Sequence, residues 1–292
     1  MPTPSKFAQA LASGSFLVTC ELDPPKGIDL SLLDDKLSKI KEVVNAVVVA
    51  DNPKGRMSMA PMAPCHYLLA QGLEPIMTLT CRDRNRLALE SDLLAAAALG
   101  IHNILAVAGD YITWGDHPES APVYDLDSVQ LLWALSLLNH NQDLAGQPVQ
   151  GSAPNFIYGA TVTLTAKPVL PLVLKFKKKL TLDPHFFISH PIFDLSSTED
   201  FFKELREIKT PLLASVCLLT EEQVRSYSPG RYPGLVIPMP ILEKFQSWKS
   251  GEFLPRLVEY TAGLINAVRK DARFRGVHLM LQDQEDKIRE LI

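Results

Sequence analysis

A chain of 292 residues, 47% of them hydrophobic, is long enough to bury one large core. Its formal net charge of −4 offers no basic excess for nucleic acid or an anionic membrane surface, and no apolar run reaches the length of a membrane span. The N-terminus lacks a basic stretch followed by an apolar segment, so no signal peptide is expected, and the four scattered cysteines (Cys20, Cys65, Cys81, Cys217) form no CxxC pair. They read as buried thiols of a cytoplasmic protein, and no metal site is expected.

Short apolar runs alternate with longer helical patterns. In chain order, strands are expected at 16–22, 45–50, 75–80, 103–108, 156–163, 185–190, 212–218 and 277–281. Helices are expected at 4–12, 29–43, 57–71, 86–99, 127–141, 168–180, 197–208, 238–248, 252–272 and 284–291. Such alternation argues for an α/β fold with a parallel sheet. Eight units in 292 residues fit a single (βα)8 TIM-type barrel better than an open sheet. No GxGxxG follows the first strand, which weighs against a dinucleotide-binding sheet. With no repeat or linker, residues 1–292 are expected to form one domain with its site at the C-terminal face.

Two strands end on carboxylates. Glu21 closes FLVTCE (16–21) and Asp110 closes NILAVAGD (103–110). Each acid caps the next element or belongs to an active-site face. In LTCRDRN (79–85), Asn85 or Asp83 suits a helix cap, while Arg82 and Arg84 suit either a phosphate or ion pairs with Asp83, Glu90 or Asp92. Gly109 would let a flat ring or phosphate approach the backbone. Tyr124 and Asp125 are candidates to face a ligand; Asp127 or Ser128 caps the next helix. The four lysines of KFKKK (175–179) cannot share one helical face. They are a solvated face or a diphosphate site with one or two lysines reaching in. His190, in SHPIFD (189–194), is the histidine placed at a strand end.

Taken together, TCELDPPKG (19–27), LTCRDRN, SDLLAAAALGIHNILAVAGD (91–110), GDHP with PVYDLDSVQLL (115–132) and SHPIFD resemble the methylenetetrahydrofolate reductases, in particular the bacterial branch serving anaerobic one-carbon metabolism. The resemblance implies a flavin-dependent barrel that reduces 5,10-methylenetetrahydrofolate to 5-methyltetrahydrofolate. It implies Glu21 as general acid, a role suited to a carboxyl group at the mouth of an apolar strand. Asp110 would lie between pterin and flavin. FAD is the cofactor implied, with FMN as the alternative. Its binding would involve Thr78, Thr80, Ala108, Gly109, Asp110, Tyr124, Asp125, Thr161 and the pair Lys178 and Lys179. The folate would meet Glu21, Asp110, His190 and Gln284.

The chain also departs from the family pattern. Ala108 replaces an arginine, Thr78 a histidine, Leu172 the ribose-binding aspartate and Gln284 a folate-binding arginine. Segment 217–227 lacks the usual proline and aromatic residue of the nicotinamide region. Glu221 and Glu222 are expected to place negative charge near a dinucleotide's approach path. Electrons would then come from a partner subunit or an artificial dye rather than NAD(P)H; the alternative is a merely divergent loop that still admits NADH. The alternatives are a flavin-free tetrahydrofolate-dependent methyl-transfer or demethylation protein, or a subunit of a larger redox complex. Oligomeric state is left open, a homo-oligomer included.

Overall fold

The computed structural model describes residues 5–205, 208–232 and 234–292. Helix α1 (Lys6–Ser13) precedes β1 (Leu17–Leu22). There follow α2 (Asp34–Ile40), β2 (Ala46–Val49), α3 (Met62–Ala70), β3 (Pro75–Thr80), α4 (Arg86–Ala98) and β4 (Asn103–Val107). The second half runs α5 (Ser128–Asn139), β5 (Ile157–Val162), α6 (Val169–Leu180), β6 (Phe186–Pro191), α7 (Glu199–Lys203) and β7 (Leu212–Cys217). It ends with α8 (Glu221–Arg225), α9 (Met239–Gln246), α10 (Ser250–Lys270), β8 (Gly276–Met280) and α11 (Ile288–Leu291). The strands pair in sequence order, all parallel, and β1 closes on β8. This is the eight-stranded (βα)8 barrel expected from the alternation.

The apolar residues divide between two clusters. The larger lies between strands and surrounding helices and includes Leu89, Leu93, Leu131, Leu135 and Phe176. The smaller gathers Leu17, Ala46, Val48, Ile76, Leu105, Phe186, Ile188 and Leu213 around Phe7 of α1. Phe7 is wholly buried and meets Phe186 edge-on, with ring centroids 5.1 Å apart. Helix α1 therefore stops the barrel at the end opposite the βα loops.

Every expected strand is present; the helices differ mainly at their starts. Residues 29–43 form a 3-10 turn followed by the short α2. Helix α3 begins only at Met62, because 52–60 is a loop held by side chains. Residues 197–208 hold only a 3-10 turn and the five-residue α7; residues 206 and 207 of that expectation, and residue 4 of the first helix, lie outside the described residues. Helix α8 was unforeseen and starts with a capping box between Thr220 and Gln223. Asn85 caps α4, and Asp127 caps α5 with Gln130 completing its box. All four cysteines are buried and free. Among the described residues, no helix is long and apolar enough to cross a membrane, and no three His, Cys, Asp or Glu side chains gather as metal ligands would.

Candidate active site

The C-terminal ends of the strands surround a cavity of about 530 Å³ lined by both acids singled out in the sequence, Glu21 and Asp110. Glu21 is partly exposed, and its Oε2 lies 3.8 Å from Nε2 of the buried His278 of β8. On the far side of that ring, Nδ1 is 3.0 Å from Thr19 Oγ1, whose own hydroxyl points to the Val277 carbonyl at 3.5 Å. With the proton on Nδ1 the Nε2 lone pair faces Glu21, and with the proton on Nε2 the ring N–H points toward it. Asp23 sits two residues beyond Glu21. Burial in the cleft and the Glu21 charge raise its carboxyl to about 6, and solvent at the rim softens this. Lys36 of α2 reaches across to Asp283 and stands 3.9 Å from the buried Glu285. The β1–β8 side is therefore acidic.

The wall from β2 to β4 is a hydrogen-bonded lattice. Buried Asp51 accepts from the Thr80 backbone and hydroxyl at 2.9 and 3.0 Å and from Arg84 at 2.7 Å. Arg84 also pairs with Asp92. Arg82, only 2% exposed, grips both Asp83 oxygens at 2.7 Å and donates to the carbonyls of Asp110 (3.1 Å) and Asn52 (3.2 Å). Both arginines are thus spent on ion pairs rather than on a phosphate; Glu90 instead accepts from the Leu144 backbone. Gly109 has φ +94°, and a Cβ there would lie 2.9 Å from Arg82 Cβ, so glycine is required for packing against this arginine. Asp110 Oδ2 accepts from the Lys54 backbone N–H at 3.0 Å. Asp116 of the next loop pairs with Lys26 and accepts from the Met57 N–H, tying three βα loops together.

The β5–β6 side is basic. Lys175 and Lys179, one helical turn apart on α6, line the cavity with Thr161. Lys179 donates to the Thr161 carbonyl at 2.6 Å; burial, and then the Lys175 charge, lower it to about 8. Ser128, at the start of α5, also lines the cavity, and its buried hydroxyl has no hydrogen-bond partner. His190 lines the same side, and burial followed by Lys179 lowers its pKa, favouring the neutral ring. The Gly234 backbone packs on that ring so closely that a Cβ would come within 2.6 Å of Nδ1.

Several expected site residues therefore converge: Glu21, Thr78, Thr80, Ala108, Gly109, Asp110, Thr161, Lys179 and His190 all line the cavity. Others do not. Lys178 is exposed and off the lining, because adjacent helical residues diverge; Lys175 takes its place. Asp125 is clamped by Arg86, which also holds its carboxyl down at about 2. Tyr124 is off the lining, its hydroxyl 3.5 Å from the Gly109 carbonyl. Gln284 turns to the Leu218 carbonyl at 3.5 Å, while Gln282 lines the cavity and donates to Cys217 Sγ at 2.8 Å. Glu221 is held by Arg225 and Ser250, and neither Glu221 nor Glu222 lines the cavity, so the expected repulsion of a dinucleotide has no basis in their placement. Pro233, within the Pro-, Gly- and Tyr-rich segment 219–237, lies outside the described residues. The sequence reading missed His278, Asp23, Lys36 and Lys54. The position of His278 in the last strand, two residues from its C-terminal end, was the available signal.

The family model for methylenetetrahydrofolate reductase matches residues 6–292. The chain belongs to the methylenetetrahydrofolate reductase family. Membership of the methylenetetrahydrofolate reductases supports a folate one-carbon function of the oxidoreductase type. No match was found among curated proteins. Among solved structures, a Clostridium thermocellum protein described as binding two copies of 5-methyl-5,6,7,8-tetrahydrofolic acid is similar, with a TM-score of 0.65 at 11% identity over 97% of this chain and 95% of that one. A long-chain alkane monooxygenase is similar with a TM-score of 0.56 at 9% identity, covering 95% and 89% of the two chains. At such identities these likenesses speak for the barrel alone.

Proposed function

We propose that this chain, acting as one barrel unit over 1–292, is a flavin-dependent reductase converting 5,10-methylenetetrahydrofolate to 5-methyltetrahydrofolate. The observation that carries the reading is one cavity with an acidic half, holding Glu21 and Asp110, and a basic half, holding Lys175 and Lys179. The basic half fits a flavin diphosphate: two lysines on one face, the unpartnered Ser128 hydroxyl, and small residues at Ala108 and Gly109. Thr78, Thr80 and Thr161 offer polar contacts nearby. Leu172 stands where the family's ribose partner would be, which leaves FMN as the alternative to FAD. A bound reduced flavin supplies the hydride. Glu21 donates a proton to N10 of the folate and so opens its five-membered ring, with His278 orienting the carboxyl. Asp110 contacts the pterin, and its negative charge tunes the neighbouring cofactor. His190, partly buried and with its neutral form favoured, offers a hydrogen bond to the pterin edge. A partner subunit remains the proposed electron source, supported by the segment 217–227 and no longer by its glutamates.

The test is the visible spectrum of the purified protein and the identity of any flavin released on denaturation. Replacing Lys175 and Lys179 together by Ala should lower flavin occupancy, whereas Lys178→Ala should leave it unchanged. Equal occupancy in all three proteins would sink the diphosphate assignment. Binding of ADP or pyrophosphate should weaken above about pH 8, where Lys179 loses the charge that attracts the anion. In the unliganded protein the sign is opposite: between about 8 and the ordinary lysine value of about 10.4 the unfolded chain binds more protons, so stability rises with pH. Lys179→Arg should flatten both profiles, read by calorimetry and denaturant melts. A second reading, a flavin-free folate protein, is favoured by Leu172 in the cavity wall and by the double folate occupancy described for the Clostridium thermocellum neighbour. Colourless protein that binds folate would select it.

A further inference from the structure

Among the described residues, five Lys and Arg side chains line the cavity: Lys36, Lys54, Arg82, Lys175 and Lys179. Lys36 is paired with Asp283, and Arg82 is paired with Asp83. Lys175 and Lys179 lie on the opposite, basic side. Lys54 is left, exposed at the cavity mouth, with no ion pair among the described residues. Its charge acts to lower the Asp23 carboxyl and the Cys217 thiol, both of which line the same cavity.

The backbone beneath Lys54 is held in an unusual state. Lys54 has φ +58° and follows Asn52 at φ +44°, both in the left-handed region. A lysine gains nothing there that a glycine would not supply with less strain. The loop is fixed from both sides. Asn52 accepts from the Ser58 N–H and donates to Asp83, and Asp110 accepts from the Lys54 N–H. The carboxylate proposed to meet the pterin thus also sets where Lys54 stands. Gln284 is neutral and turned toward the Leu218 carbonyl.

We propose that Lys54 is the subsite for the carboxylate of the ligand's glutamyl tail. The inference rests on the folate reading above. A pterin seated beside Asp110 sends its p-aminobenzoylglutamate toward the mouth, where an unpaired ammonium accepts a carboxylate by a charge-assisted hydrogen bond. Lys54 selects for the anionic tail and takes no part in chemistry at the pterin.

The test compares two ligands, 5-methyltetrahydrofolate and a tetrahydropterin without the p-aminobenzoylglutamate, on the full chain by calorimetry. Lys54→Gln should weaken 5-methyltetrahydrofolate binding by about tenfold and leave the tetrahydropterin unchanged. Lys54→Arg should restore most of the affinity. Lys54→Gly should match Lys54→Gln in binding while melting no lower than wild type, since it relieves the left-handed strain. Equal loss for both ligands, or no loss for either, overturns this inference and leaves the proposed function standing. Wild-type protein that binds neither ligand overturns both.

Discussion

Replacing Glu21 by Gln is expected to lower the single-turnover rate of methylenetetrahydrofolate reduction by about 10²–10⁴-fold, the usual worth of a positioned general acid. The amide keeps the shape of the side chain and can still face His278, so the cavity wall should be undisturbed. Flavin content and flavin reduction by a viologen dye should be nearly unchanged, which separates the proton-donating step from cofactor binding. Reduction at the wild-type rate would show that another group supplies the proton. Asp23 would then be the first suspect, since it stands two positions away and its carboxyl is raised to about 6.

The second large effect concerns stability. Arg82→Met removes the cation at the centre of the β2–β4 lattice, leaving Asp83 without its two-pronged partner and the carbonyls of Asp110 and Asn52 without their donor. Breaking a buried pair from one side costs about 3–5 kcal/mol, and the partial exposure of Asp83 puts the expected loss near the lower figure. Urea melts should show it as a lower midpoint at unchanged slope. Because Asn52 and Asp110 both lean on this arginine, ligand affinity should fall as well. A loss below about 1 kcal/mol would mean that water replaces the guanidinium at little cost.

The barrel was legible because each β-strand is a compact apolar run and each intervening helix carries a longer period. The strand-end acids were legible for the same reason, since a charge closing an apolar run has few structural excuses. Side-chain direction was harder. KFKKK shows four lysines but not which two turn inward; that depends on where Phe176 and Val173 pack, which places Lys175 and Lys179 on the cavity side. Asp125 looked available because its partner Arg86 is 39 residues distant in sequence. For Arg82 a phosphate and an ion pair with Asp83 were both open, because nothing local reveals that it will be enclosed by carbonyls from two other loops. His278 reads in sequence as one more core residue of an alternating strand. Only closure of β8 onto β1 brings its ring to Glu21.

The stopper formed by Phe7 has a consequence for traffic through the molecule. With the floor closed by α1, the cavity among the described residues opens on the side of the βα loops. A molecule seated near the doorway imprisons whatever lies beneath it. On the proposed function, electron donor and folate would then have to take turns, and a surplus of either visitor would slow the departure of the other.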